Sequence, residues 1–469
     1  MMPNLSSRVL GLSMISLMVF AQTLIFMMSN TNKGSGSDEA ASAAGNGQGW
    51  TFPFLTDPQT IKYISTQMQV IFFLRTVPDR EKPALAKAIS DTYKDSVVCC
   101  SNSSSGPDKS PPWRSGHQTC QAQIEDSCKK RIRVIIVDCI DSDPGDLRDF
   151  FTIAHDYNYT TIVIQPNATS GYDGAPGLAS DDKNALKNGN KSQDPPKILY
   201  PFFYGWFLGF NISLEAQVAG RRIFNECVQQ PKFVEIFKKY AIPGSPRNSS
   251  GGLDFDHYFS LEGFITGTTL LHCTSFFSNY SERAGSKQYA TSPAVRDGTG
   301  RVYNLTVIGF LITPRTFGAR LQLDHGELLL WAMNDSVPTD SAKVKGTSSA
   351  DQIMQQRYHQ LESEETSPEK LRNKGFQCPK HWRPIKFSPT CGPGSRAHLT
   401  LGTGKGVEAV QTGFDLEAII QKELEAVEQG EVILTLPLPS GTVRCYGKGN
   451  WAVYLDKPLE FGALFSGWY

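Results

Sequence analysis

The chain has 469 residues, 40% of them hydrophobic, 20% charged and 11% aromatic. That composition excludes disorder and collagen-like repeats, and at about 150 residues per domain it leaves room for two or three domains with cores of their own. Forty-six basic side chains balance 46 acidic ones, so no long-range field gathers polyanions and any phosphate chemistry must arise at a local site.

In chain order, residues 9–28 carry no charge and consist largely of Val, Leu, Ile, Met and Phe, with Arg8 before them and Lys33 after. At 1.5 Å per residue such a run spans the roughly 30 Å hydrocarbon layer of a bilayer. It predicts one N-terminal transmembrane helix, a signal anchor, behind a short cytoplasmic N-terminus over 1–8. A cleaved signal peptide is the competing expectation. Against it, the run exceeds the usual 7–15 apolar residues, and the small triplet Ala41-Ser42-Ala43 lies far downstream. Residues 29–52, rich in Gly, Ser, Asn and Ala, read as a flexible stalk.

Asn-x-Ser/Thr sequons begin at Asn4, Asn102, Asn158, Asn167, Asn190, Asn211, Asn248, Asn279, Asn304 and Asn334. Chance predicts about three among the asparagines present at a Ser/Thr frequency of about one in six. The excess predicts a single-pass type II membrane glycoprotein with a lumenal or extracellular body, the alternative being a membrane-anchored protein with a cytoplasmic body. The ten cysteines, among which no Cys-x-x-Cys occurs, would then be free to pair, in a pattern the sequence leaves open.

Beyond the stalk, strand and helix signals alternate. Short apolar runs at 69–74, 96–100, 132–138 and 160–164 read as buried strands, with a helix over 83–93 and another opened by Asp143 as N-cap and Pro144 in its first turn. Alternation of this kind predicts a parallel α/β sheet over residues 53–240, closed by one long helix over 213–240. After Pro243-Gly244 strands dominate, so residues 241–469 are expected to form an α+β domain, interrupted over 336–393 by a polar insertion bearing Cys378 and Cys391.

Two motifs carry chemistry. His272 with Thr274, and His398 with Thr400, each place an imidazole and a hydroxyl two residues apart in an extended, apolar setting. In a strand, residues i and i+2 share a face, so each pair projects together. If the two strands lie side by side, they line a groove suited to a phosphodiester. One imidazole takes a proton from water, the other protonates the departing ribose oxygen, and the hydroxyls hold phosphoryl oxygens. That chemistry needs neither metal nor cofactor. A single His-x-Thr has a commoner explanation, a structural histidine bonded to threonine.

Around these motifs the chain resembles the vertebrate 2′,3′-cyclic-nucleotide 3′-phosphodiesterase family of the two-histidine phosphoesterase superfamily. The matching blocks are LHCTSFFSNY at 271–280, TPRTFGAR at 313–320, GSRAHLTLG at 394–402, VEAVQTG at 407–413, GKGNW at 447–451 and LFSGWY at 464–469. Upstream, FYGWFL at 203–208 looks like the join between the family's two domains. The resemblance implies hydrolysis of nucleoside 2′,3′-cyclic phosphates, or of RNA ends bearing them, to 2′-phosphates. It implies His272 as proton acceptor and His398 as proton donor, roles that the near-symmetry of the motifs leaves exchangeable. Thr274 and Thr400 would bind the phosphate, Phe277 would stack a nucleobase or simply fill a core, and Arg396 would approach the phosphate or face solvent.

The same resemblance implies a P-loop kinase-like first domain whose loop is degenerate. The stretch from Thr76 to Pro83 reads TVPDREKP. No glycine remains to let backbone N–H groups converge on an anion, Asp79 and Glu81 add repulsion, and Pro83 removes a hydroxyl and an N–H. Lys82 and Asp138 survive without a cradle, so no nucleoside triphosphate is expected there. The last cysteine, Cys445, is too far from Tyr469 for the family's C-terminal prenylation. A second reading, from Asn279 lying close to His272, is a catalytically silent membrane glycoprotein that uses the fold as a binding or adhesion module.

Overall fold

The structure, a computed structural model, describes residues 50–75, 77, 81–99, 112–138, 147–165, 198–259, 270–331 and 394–469. The expected membrane span at 9–28, most of the stalk, the N-cap Asp143 and the insertion at 336–393 lie outside them. So do Thr76, Pro78, Asp79 and Arg80 of the degenerate loop. Among the described residues no helix is long and apolar enough to cross a membrane.

Helix α1 (Pro58–Gln67) is capped by Asp57, whose carboxylate accepts from the Thr60 N–H. There follow β1 (Val70–Leu74), α2 (Lys82–Thr92), β2 (Ser96–Cys99), α3 (Pro112–Lys129), β3 (Val134–Val137), α4 (Arg148–Asp156) and β4 (Thr160–Ile164). The four strands form one parallel sheet in the order β2-β3-β1-β4. Strands β1, β3 and β4 are buried at every residue, as continuous apolar runs must be when both faces are covered. Val70, Phe72 and Leu74 enter one core with Phe52, Phe54 and Ile64. Ile71 and Phe73 enter another, with Phe150, Phe151 and three cysteines. Phe52, expected at the end of the stalk, is therefore a core residue.

The second sheet begins earlier than the sequence suggests. Strand β5 (Phe203–Phe207) leads into α5 (Phe210–Val228) and α6 (Pro231–Tyr240), then β6 (His272–Phe277), β7 (Val302–Ile312), β8 (Thr316–Gln322) and β9 (His398–Thr403). Helix α7 (Gln411–Gln429), β10 (Thr435–Leu438), β11 (Gly441–Cys445) and β12 (Trp451–Trp468) complete it. The eight strands run β10-β11-β12-β7-β8-β9, with β5 pairing β12 on one side and β6 on the other, all antiparallel. Trp206, Ile223, Phe233 and Phe237 share one core with this sheet, so the expected division at 240 is corrected to one before β5. The single helix expected over 213–240 is two, because Pro231 lacks the N–H to continue α5 and instead opens α6 at its first turn.

Polar staples join the two sheets. The Tyr63 hydroxyl donates to the Gly462 carbonyl, Ser466 Oγ to Thr161 O at 2.6 Å, and the Val302 N–H to Thr60 Oγ1 at 3.0 Å. Val302 and Leu464 of the second sheet complete a core of the first. Six described cysteines are free thiols, five of them buried, so the pairing expected of them is not made among the described residues. Asn158, one of the sequons, is buried in a left-handed turn after α4, with φ 62°.

Candidate active site

β6 and β9 each begin with a histidine. They share one burial pattern: His272, Thr274 and Phe277 are half-buried in β6, His398, Thr400 and Thr403 in β9, and the residues between face the core. Both strands also carry an irregularity at the same point. The β5–β6 register shifts between Tyr204 and Gly205, and the β8–β9 register between Phe317 and Gly318. An extra residue turns the alternation over. His272 and Thr274 thus lie on one face, and three residues after Thr274 rather than two, Phe277 returns to it. Thr403 holds the equivalent position in β9, a residue that motif reading missed because a bulge leaves no signature in composition.

The two strands end opposite branches of the sheet, and their starts meet. The Cys273 thiol accepts from the His398 backbone N–H, and the His272 imidazole is close enough to disfavour charge on His398. His272 Nδ1 lies 3.0 Å from Leu270 O and His398 Nδ1 2.8 Å from Arg396 O, in both cases the carbonyl two residues upstream. A carbonyl can only accept, so both Nδ1 atoms carry hydrogen and Nε2 is the proton-exchanging atom of each ring. Burial holds the His272 pKa below its ordinary value. Burial, the Arg396 charge and His272 push His398 down to about 4.

Thr274 shares a face with His272, and the Thr400 hydroxyl donates to Ala409 O at 3.3 Å. Phe277 stands edge-on to Phe202, ring centroids 4.8 Å apart. The Arg396 guanidinium lies 3.6 Å from Glu417 Oε2 on α7; its carbonyl, not its charge, fixes the histidine. Of the stretch from Thr76 to Pro83, Thr76 itself falls outside the described residues, Val77, Glu81 and Lys82 are buried, and Pro83 is exposed in the first turn of α2. Asp138 follows β3. Among the described residues no three His, Cys, Asp or Glu side chains converge to hold a metal ion.

Behind His398 stands the first turn of α7. A Cβ on Gly413 would lie 3.1 Å from His398 Cε1, tighter than ordinary contact. That turn is tied down by Asp415, which is buried: Thr313 Oγ1 and Thr316 Oγ1 each donate to Oδ2 at 2.7 Å, and Arg315 and Gln411 donate to Oδ1. Around His272 the support is aromatic, from Phe203 at 4.8 Å and Phe207 at 5.7 Å between ring centroids. Gly205 lets β5 approach this closely, since a Cβ there would fall 2.4 Å from Cys273 O. Asp415, Phe203 and Phe207 were not singled out by spacing, because their partners lie far away in sequence.

Among protein families, the one described as 2′,3′-cyclic nucleotide 3′-phosphodiesterase matches residues 200–355 and 378–469. The mouse 2′,3′-cyclic-nucleotide 3′-phosphodiesterase is 26% identical over 427 residues, covering 89% of this chain and 87% of its own. The orangutan protein of the same name is 27% identical over 429 residues, with the same coverage. Among solved structures, a fungal RNA kinase aligns with 86% of this chain and 100% of its own at 9% identity and a TM-score of 0.25, too low to bear on the fold.

Proposed function

This chain belongs to the 2′,3′-cyclic nucleotide 3′-phosphodiesterase family, and on that premise we propose that the paired His-Thr strands hydrolyse a nucleoside 2′,3′-cyclic phosphate, free or at an RNA end, to the 2′-phosphate. Water attacks phosphorus as His272 Nε2 takes its proton. The P–O3′ bond breaks, and His398 Nε2–H protonates the departing O3′. Thr274 and Thr400 donate to the non-bridging oxygens, for which the Thr400 hydroxyl turns away from Ala409 O. Phe277 lies where a nucleobase stacks, and Arg396 adds positive charge near the phosphate. Two histidines, each held at Nδ1 by a carbonyl and each with a threonine on its face, carry the proposal.

The test is hydrolysis of 2′,3′-cyclic AMP by wild type, His272→Ala and His398→Ala, followed by ³¹P NMR. Loss of one proton-transfer group is expected to lower kcat by 10²–10⁴-fold. Correctly folded wild type without activity sinks the proposal and leaves the silent binding module. No triphosphate site is proposed between Thr76 and Pro83, and saturable Mg²⁺-dependent ATP binding would overturn that.

We also propose the type II arrangement, with the span at 9–28 and a lumenal or extracellular body. Asn211, Asn248 and Asn304 are exposed and accept glycans; Asn158 is buried, and the Asn279 amide nitrogen donates to Glu282 Oε2 at 2.7 Å. Endoglycosidase treatment of cell-expressed protein is expected to shift its mobility, with Asn158→Gln unchanged from wild type. No shift at all supports the cytoplasmic alternative.

A further inference from the structure

Helix α4 of the parallel-sheet unit ends in a ring that reaches the other unit's site. His155 stacks on Trp468 with centroids 3.6 Å apart and planes 5° from parallel. Trp468 in turn lies 6.0 Å from Phe203 at 10° and 5.9 Å from Phe207 at 18°. Phe203 stacks on His272 at 27°, and Phe207 packs tilted against it at 35°. Sheet register builds the series. Phe203, Gly205 and Phe207 alternate onto one face of β5, Trp468 pairs with Phe203 across one edge, and His272 pairs with Phe207 across the other.

We propose that His155 and Trp468 are positioning residues: through Phe203 and Phe207 they fix the His272 ring and keep water from its inner face, so the parallel-sheet unit is part of the catalytic site's support. The proposal rests on His272 being the proton acceptor. It gives the first unit a role independent of nucleotide binding, because what the site uses is one flat ring on α4 and not the loop at 76–83. His155 is suited to that role. Its Nε2 is buried without a hydrogen-bond partner, and burial pushes its pKa down to about 4, so at neutral pH it packs as an uncharged aromatic ring. Ring contacts of this kind favour particular orientations beyond the area they bury, and so bias how the His272 ring is held. The titratable neighbour of His272 is His398.

The experiment compares wild type, His155→Leu, His155→Phe and Trp468→Leu in the full chain, with exposed Thr152→Ala on the same helix as control. Leucine fills space without a ring face, and phenylalanine restores the face. Expected are a three- to tenfold fall in kcat with KM within twofold for the leucine variants, recovery in His155→Phe, and no change in the control. In parallel, the His272 ring is titrated by ¹H–¹⁵N NMR, which needs no activity. Its midpoint is expected to move up toward 6.5 in the leucine variants, as water reaches the ring. Leucine variants that melt like wild type and keep both its kcat and its His272 midpoint overturn the proposal. Wild type inactive on cyclic nucleotides defeats the functional reading alone, and the NMR midpoint then decides this one.

Discussion

Both imidazoles of the candidate site are held below their ordinary proton affinity, yet the proposed reaction needs one neutral and one charged ring. In the free protein at pH 7 the doubly neutral form dominates, and a phosphodiester anion bound beside the rings would favour the missing proton. Since kcat/KM reports the free enzyme, it is expected to fall about tenfold per pH unit above pH 6.5, which initial rates on 2′,3′-cyclic AMP between pH 5 and 8.5 would measure. A kcat/KM rising through that range would contradict the site's electrostatics. Such depressed histidines, His155 among them, also act on stability. A histidine whose folded pKa is depressed binds fewer protons folded than unfolded between the two values, so stability is complete above about 6.5 and is lost as pH falls toward about 4. For His155 alone that amounts to about 1–2 kcal/mol between pH 7 and 5. Urea midpoints should therefore drop on acidification, and His155→Phe should drop less.

At the scale of elements, each site strand is only as well placed as the segment behind it. Gly413→Ala puts a methyl against the His398 ring, and is expected to lower kcat about tenfold while leaving the melting temperature within a few degrees. Asp415→Asn keeps the shape but removes the charge that Arg315 and two threonine hydroxyls meet. It should cost about 2–3 kcal/mol in a denaturant titration and lower kcat as the first turn of α7 loosens. Much of this level was legible in sequence. The β-branched runs gave four parallel strands within a residue or two of their ends, and a two-residue period set His and Thr on one face. The bulges were not, since they arise from how a strand meets its partner. Nor was the Asp415 cluster, whose donors Thr313, Arg315 and Thr316 lie 102, 100 and 99 residues away. The break between α5 and α6 was legible in Pro231, but the apolar period of both helices runs across it and suggests continuity.

For the whole molecule, two sheets share cores, hydroxyl staples and an aromatic column, so separating them at 240 would strip β6 and β12 of β5. A fragment over 241–469 is expected to be insoluble or unfolded by circular dichroism. One over 198–469 keeps every strand pair of the second sheet but uncovers Val302 and Leu464, and should be more soluble yet bind a hydrophobic dye. The boundary was misread because 203–240 looks by composition like the end of an α/β unit, while the partners that decide its membership are β6 and β12. Of the candidate site, the sequence supplied the motif histidines and threonines; the rings packed behind His272, on β5, β12 and α4, it did not.

Strand β12 has one more implication, for the order of events during synthesis. It pairs with β11, β7 and β5 along its 18 residues, and it lies C-terminal to all of them. Until residues 464–468 have left the ribosome, β5 has an open edge and His272 sits on a two-stranded ribbon with no third strand to stiffen it. The parallel sheet, whose strands end at Ile164, can complete its ladder long before. A nascent chain would thus carry a finished first sheet and an unfinished candidate site, completed late and abruptly with the emergence of one strand.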